Sequence, residues 1–98
     1  MSNLVIDLQE GFENERVEVR VDNRQVFARE GVTTDPRISS ADGVRLHAEG
    51  PVEVRVNVLS RGLSRALRLD VCADVYVGVS IVGAELELRT ADRPFFYM

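Results

Sequence analysis

Polar and apolar residues alternate one for one along most of this chain. "RVEVRV" sets Val17, Val19 and Val21 against Arg16, Glu18 and Arg20, and "PVEVRVNVL" sets Val52, Val54, Val56 and Val58 against Glu53, Arg55 and Asn57. "RALRLDV" supplies Leu67, Leu69 and Val71, "DVYVGVSIV" supplies Val75, Val77, Val79 and Ile81, and "AELELRT" supplies Leu86 and Leu88. A period of two in aliphatic and β-branched residues predicts strands with one buried face. No segment carries a 3.6-residue stripe. "SRGLSRALRL" comes nearest, but Gly62 and the alternation that follows argue for a strand. The pattern predicts about eight strands, near 4–8, 16–21, 25–29, 44–48, 52–59, 65–71, 75–82 and 85–90.

Turn residues punctuate the strands. Asp22-Asn23 tolerates the left-handed backbone of a tight hairpin. Further turns fall at Glu49-Gly50-Pro51, near Ala73-Asp74 and near Gly83. Gly78 inside a strand marks a bulge or a close backbone approach. One stretch breaks the rhythm: "REGVTTDPRISSADG", Arg29 to Gly43, reads as the longest loop and as a crossover between sheets. Short strands with one apolar face each must bury that face against another layer. The expected fold is an all-β antiparallel β-sandwich, immunoglobulin- or transthyretin-like, of about seven to eight strands. A single domain over 1–98 follows from the length.

Composition narrows the function classes. All 12 basic residues are Arg, so neither a lysine Schiff base nor a phosphate-loop lysine exists. Arg favours planar, bidentate carboxylate pairing. The net charge of −4, with acids and bases interspersed, disfavours nucleic-acid backbones as partners. Cys72 is the sole cysteine, which excludes an internal disulfide and a thiolate zinc site. The start "MSNLVIDLQEGFENE" lacks the pattern of a secretory signal. No stretch reaches membrane-spanning length. The expected location is the cytoplasm, with no membrane partner.

The run "VEVRVDNRQVF…VTTDP…VRLHAEGPVEVRVNVL…LRLDV…YVGVSIVGAELEL" resembles small bacterial sandwiches of the PEGA-like and transthyretin-like (prealbumin-like) kind. The hairpin at Asp22-Asn23, the "TTDP" of Thr33 to Pro36 and the "EGPVEVRV" lead into a long strand carry the resemblance. Asn23 stands where such a turn often has Gly, and "PEGA" itself is absent. The resemblance implies a binding or accessory role and brings no catalytic residue with it.

Candidate chemistry is sparse. His47, the only histidine, would have to serve as base for Ser39 or Ser40 with Asp42 as orienter, but no nucleophile elbow surrounds either serine. The parity of Val44, Leu46 and Ala48 puts His47 on the solvent side. Cys72 could pair with His47 as a thiolate, but nothing basic adjoins it in sequence, and it reads as a small buried apolar residue. No catalytic residue and no enzyme activity is expected. Consecutive turns of an antiparallel sandwich alternate between its ends, so Asp22, Glu49, Asp74 and Asp92 gather at one end. Oxygen-rich loops hold Ca²⁺ in this way, which makes these four the candidate metal ligands and Ca²⁺ the one cofactor considered. Turn backbones favour the same residue types without any metal. A carbohydrate ligand lacks support: there is no Trp, and Tyr76 and Tyr97 alone offer a hydroxylated ring.

The chain ends "RPFFYM", with Phe95, Phe96 and Tyr97 adjacent. Three neighbouring aromatics call for a cover. Either the tail folds over an open end of the sandwich, with Phe95 or Phe96 plugging the core, or it docks on a protein partner or a second copy. The function expected from the sequence is a non-catalytic interaction or accessory module. The alternative is a Ca²⁺- or carbohydrate-binding module that uses loops at one end.

Overall fold

Every alternating stretch becomes a strand in the computed structural model, which describes residues 2–95. The strands are β1 (Ser2–Leu8), β2 (Glu15–Val21), β3 (Arg24–Val32), β4 (Asp42–Ala48), β5 (Gly50–Val58), β6 (Leu63–Val71), β7 (Val75–Val82) and β8 (Glu85–Ala91). No helix occurs among the described residues. Two four-stranded sheets result, ordered β4-β1-β7-β8 and β3-β2-β5-β6.

One pair departs from the expected antiparallel scheme. β1 lies between β4 and β7 and runs parallel to β7, with Leu4 beside Val75 and Leu8 beside Val79. A parallel neighbour needs a long connection. Here the other sheet, threaded between residues 8 and 75, provides it. The first sheet is therefore mixed.

The core forms where the valine rows meet. Val52, Val54, Val56 and Val58 of β5 are all buried, as are Val17, Val19 and Val21 of β2. Leu4, Ile6 and Leu8 of β1 and Val77, Val79 and Ile81 of β7 face them from the other sheet within one continuous core. The outward residues pair mostly along a strand: Glu18 with Arg20 at 3.1 Å and Glu53 with Arg55 at 3.6 Å. Arg68 reaches across from β6 to Glu53 at 3.5 Å.

The sheets do not close on each other. Instead, an arginine at an inward position bridges each open corner. Arg29 of β3 binds the Asp42 carboxylate of β4 at 2.6 Å and sits 5.5 Å from the Phe27 ring centroid. Arg65 of β6 donates to the Leu86 carbonyl of β8 at 3.0 Å. Inward charges on edge strands discourage edge-to-edge pairing with other chains. Two register shifts in the β2–β3 ladder blunt β3 further.

Strand 24–32 is longer than the 25–29 expected, because an edge strand needs no clean alternation. Consequently the crossover shrinks to residues 33–41. It carries the chain from one sheet to the other, as expected, and turns back at an Asp35–Ser40 bridge.

Candidate functional site

Strand directions sort the connections into two groups. Val21 opposes Val54, Gly50 opposes Val71, Ser2 opposes Ala48 and Tyr76 opposes Ala91. The Asp22-Asn23 hairpin, the Glu49 crossing, the turn at residues 72–74 and the exit at Asp92 thus share one end. The segments 9–14, 33–41, 59–62 and 83–84 occupy the other. All four sequence-selected carboxylates fall at the first end.

The second end is sealed. Its 9–14 segment is long enough to fold inward and drives Phe12 into the core at 1% exposure. Gly11, with φ of 87°, lets the chain pass against the Ile81 backbone, where a Cβ would collide with the Ile81 carbonyl oxygen. Thr34 stitches the two long loops together. Its amide donates to the Phe12 carbonyl at 2.8 Å, its hydroxyl accepts from the Phe12 amide at 3.0 Å, and the hydroxyl donates to the Gln9 carbonyl at 2.6 Å. Beside it, Glu15 is buried at 4% exposure and takes hydrogen bonds from the Ser60 hydroxyl and from Arg61 Nε at 2.7 Å. Burial pushes the Glu15 carboxyl up. The hydrogen bonds from Arg61, Ser60 and the Glu13 amide, with the Arg61 charge, outweigh that and hold it below 4.5. Alternation held the signal for Glu15, since it shares the inward parity of Val17, Val19 and Val21. Phe12 lies outside any period and left none.

The first end stays open. Its connections are one to three residues long: the hairpin stays within one sheet, while Glu49 and residues 72–74 step directly from one sheet to the other. Asp22 and Asn23 adopt φ of 49° and 67°, the doubly left-handed backbone of a tight hairpin turn. Asp22 extends the ladder: its amide donates to the Glu53 carbonyl at 2.9 Å, and its Oδ1 accepts from the Glu53 amide at 2.9 Å. Asp74 Oδ1 accepts from the Asn3 amide at 2.8 Å. Both carboxylates therefore already organise backbone, and Asp92 lies 3.7 Å from Arg93. Among the described residues no three of His, Cys, Asp and Glu converge as ligands for one ion.

Clefts lie at this end among the described residues. One of about 470 Å³ is lined by Pro51, Val52 and Leu69 together with Asp22, Glu53, Asp70 and Arg68. A second of about 360 Å³ continues past Leu69 and Asp70 to Val75 and Asp92. The third, about 400 Å³, holds Asp22, Arg24, His47 and Glu49 at its rim.

The other sequence candidates separate. His47 is exposed on β4, as its parity implied. It lies five residues along an extended strand from Asp42, roughly 16 Å at 3.3 Å per residue. Asp42 is occupied by Arg29 and by the Gly43 amide, at 2.8 Å. Ser39 and Ser40 belong to the crossover at the sealed end, so the Ser–His–Asp set does not assemble. Cys72 is exposed in a turn, not buried as its small apolar character suggested. The turn at residues 72–74 lifts it beyond the last inward position, Val71. β4 and β6 occupy diagonally opposite corners, which keeps His47 away from Cys72.

Phe95 is one of two residues expected to plug the core or to dock on a partner. It is half-buried beside Arg89, whose guanidinium carbon is 5.6 Å from the ring centroid, and it is not part of the core. The aromatic plug is Phe12, at the end opposite the chain's exit. Phe96 and Tyr97 lie outside the described residues.

The chain matches no known protein family, no curated protein and no solved structure. What it offers is the geometry of the two ends. No helix among the described residues is long and apolar enough to cross a membrane.

Proposed function

We propose that this protein is a non-catalytic interaction or accessory module, of the immunoglobulin- or transthyretin-like sandwich kind, that docks a protein partner at its open end. The observation that carries the reading is the contrast in finish between the ends. One buries Phe12 under loops tied by Thr34 and keeps a cleft of about 320 Å³ beside Arg16, Glu30 and Leu59. The other has no buried plug among the described residues and keeps clefts rimmed by Asp22, Glu53, Asp70 and Asp92. Clefts with a few convergent polar groups are where ligands and partners seat. The separation of His47 from Asp42, Ser39 and Cys72 supports the non-catalytic part. A lone exposed thiol suits the reducing cytoplasm.

The test is capture from the cell of origin with the full tagged chain, the double reversal Glu49→Arg/Asp92→Arg, and Glu87→Arg as a control on another face. A partner retained by the wild type and by Glu87→Arg but lost with the double reversal is the expected result. A captured set indifferent to the reversal contradicts the reading.

Ligand binding at the same end is the second reading, favoured by the registers that gather Asp22, Glu49, Asp74 and Asp92 there. Calorimetric titration with Ca²⁺ separates the two. Heat of binding and a raised melting temperature at millimolar Ca²⁺ support the metal, and neither effect removes it.

A further inference from the structure

The cleft of about 470 Å³ at the open end has a chemistry specific enough to name its occupant. Its apolar lining is Pro51, Val52 and Leu69, and the carboxylates of Asp22, Glu53 and Asp70 stand around it. Pro51 opposes Asp70 and Glu53 opposes Arg68 in the β5–β6 ladder, so these four project from the same outer face. Asp22 joins them through its two backbone bonds to Glu53. The Asp70 carboxylate makes no hydrogen bond or ion pair with another described residue, although its backbone belongs to the β5–β6 ladder. Arg68 is the one basic residue in the lining, and its side chain is 88% exposed at 3.5 Å from Glu53. The chain's own Arg68 guanidinium thus lies along the rim against the Glu53 carboxylate.

We propose that this groove receives a basic, apolar-stemmed segment of a protein partner, an extended peptide that alternates Arg or Lys with aliphatic residues. The inference rests on the docking role proposed above and specifies its chemistry. Charge complementarity selects the occupant: with Glu53 shared between Arg55 and Arg68, the groove still carries the excess charge of Asp22 and Asp70, and a cationic segment balances it while its aliphatic residues cover Pro51 and Leu69. An acidic or purely apolar segment leaves the Asp70 carboxylate without a partner. Arg68 competes for the same rim, so its removal makes room for the partner's cation.

The probe is a fluorescein-labelled hexapeptide of alternating lysine and valine, titrated with the full chain and read by fluorescence anisotropy. Saturable binding that weakens as sodium chloride is raised is expected. The double variant Glu53→Gln/Asp70→Asn should weaken it about tenfold, and Arg68→Ala should tighten it about threefold. Glu85→Gln/Glu87→Gln removes the same charge from β8 and should leave affinity within about twofold. Each variant's amide NMR spectrum verifies its fold. Equal weakening by both double variants would reveal diffuse charge attraction and overturn the proposal, as would an Arg68→Ala protein that binds no tighter. If the peptide does not bind while capture of a cellular partner still depends on Glu49 and Asp92, the basic-segment inference falls and the docking role stands.

Discussion

The two ends of this molecule are built from the same strands and finished in opposite ways. At the sealed end, residues 9–14 and 33–41 are long enough to fold back, bury Phe12 and enclose the Glu15 carboxylate. At the open end, a two-residue hairpin, the single residue Glu49 and the turn at 72–74 carry the chain between strands. Connections that short have no side chain to spare for a cap. Loop length alone thus decides which end is core and which is surface. The first end buries Phe12 and Glu15, and the second is left with its clefts.

The sharpest way to break the comparison is to remove the plug. Phe12→Ala should cost about 3–5 kcal/mol, the usual range for a fully buried aromatic. In a domain of this size each 1 kcal/mol lowers the melting temperature by about 4–8 °C. A melting curve within a few degrees of the wild type would mean the sealed end bears no special load.

Glu15 gives a smaller effect with a pH signature. Glu15→Ala strips the partner from Ser60 and Arg61 and should cost about 2 kcal/mol at neutral pH. Because the folded carboxyl titrates below its ordinary value of 4.5, ionised Glu15 stabilises the fold above that pH, and the contribution is lost as pH falls through the folded value. Glu18 and Asp35 are lowered as well, Glu18 by Arg20 and Asn57 and Asp35 by Arg37, so acid destabilisation persists in any single variant. Urea titrations of wild type and Glu15→Gln between pH 2 and pH 7 should show the variant losing less stability below about pH 4.5. Parallel curves would place the Glu15 carboxyl outside the folding linkage.

Phe95 sharpens the contrast between two phenylalanines of one chain. Half-buried and held by Arg89, it should cost about 0.5–1 kcal/mol when changed to Ala, a fraction of the Phe12 effect. At the open end, Glu49→Ala and Asp92→Ala should each stay within about 0.5 kcal/mol of wild type in the same denaturation assay. A larger loss at either site would show that the open end is itself structural.

Much of this was legible in the sequence. Strands β5 to β8 begin and end within two residues of where the alternation places them, because valine rows leave no second register. Asp22-Asn23 announced its hairpin through the two residue types that tolerate left-handed backbone. The gathering of Asp22, Glu49, Asp74 and Asp92 followed from counting turns. The sealing of the other end did not show. Phe12 sits in a short segment without period, and its burial depends on Thr34, 22 residues away in sequence. Glu15, Arg29 and Arg65 occupy inward parity, but alternation alone does not say which partner across the sandwich takes up a charge there. The parallel β1–β7 pair was hidden too, because period two reports which face is buried and not which strand lies next to it. For function, the acidic turns were legible, but the apolar lining of Pro51, Val52 and Leu69 was not, because it forms only where the β5–β6 register meets Asp22 across β2 and β5.

Native-state hydrogen exchange, read residue by residue, tests the asymmetry of the ends most directly. The amides of Gln9, Phe12, Thr34, Leu59 and Ile81, all hydrogen-bonded at the sealed end, should exchange only through global unfolding. Those of Asn3, Asp22 and Glu53 at the open end should exchange faster, through local opening. Equal protection at both ends, or faster exchange at Phe12 and Thr34 than at Asp22 and Glu53, would contradict the account.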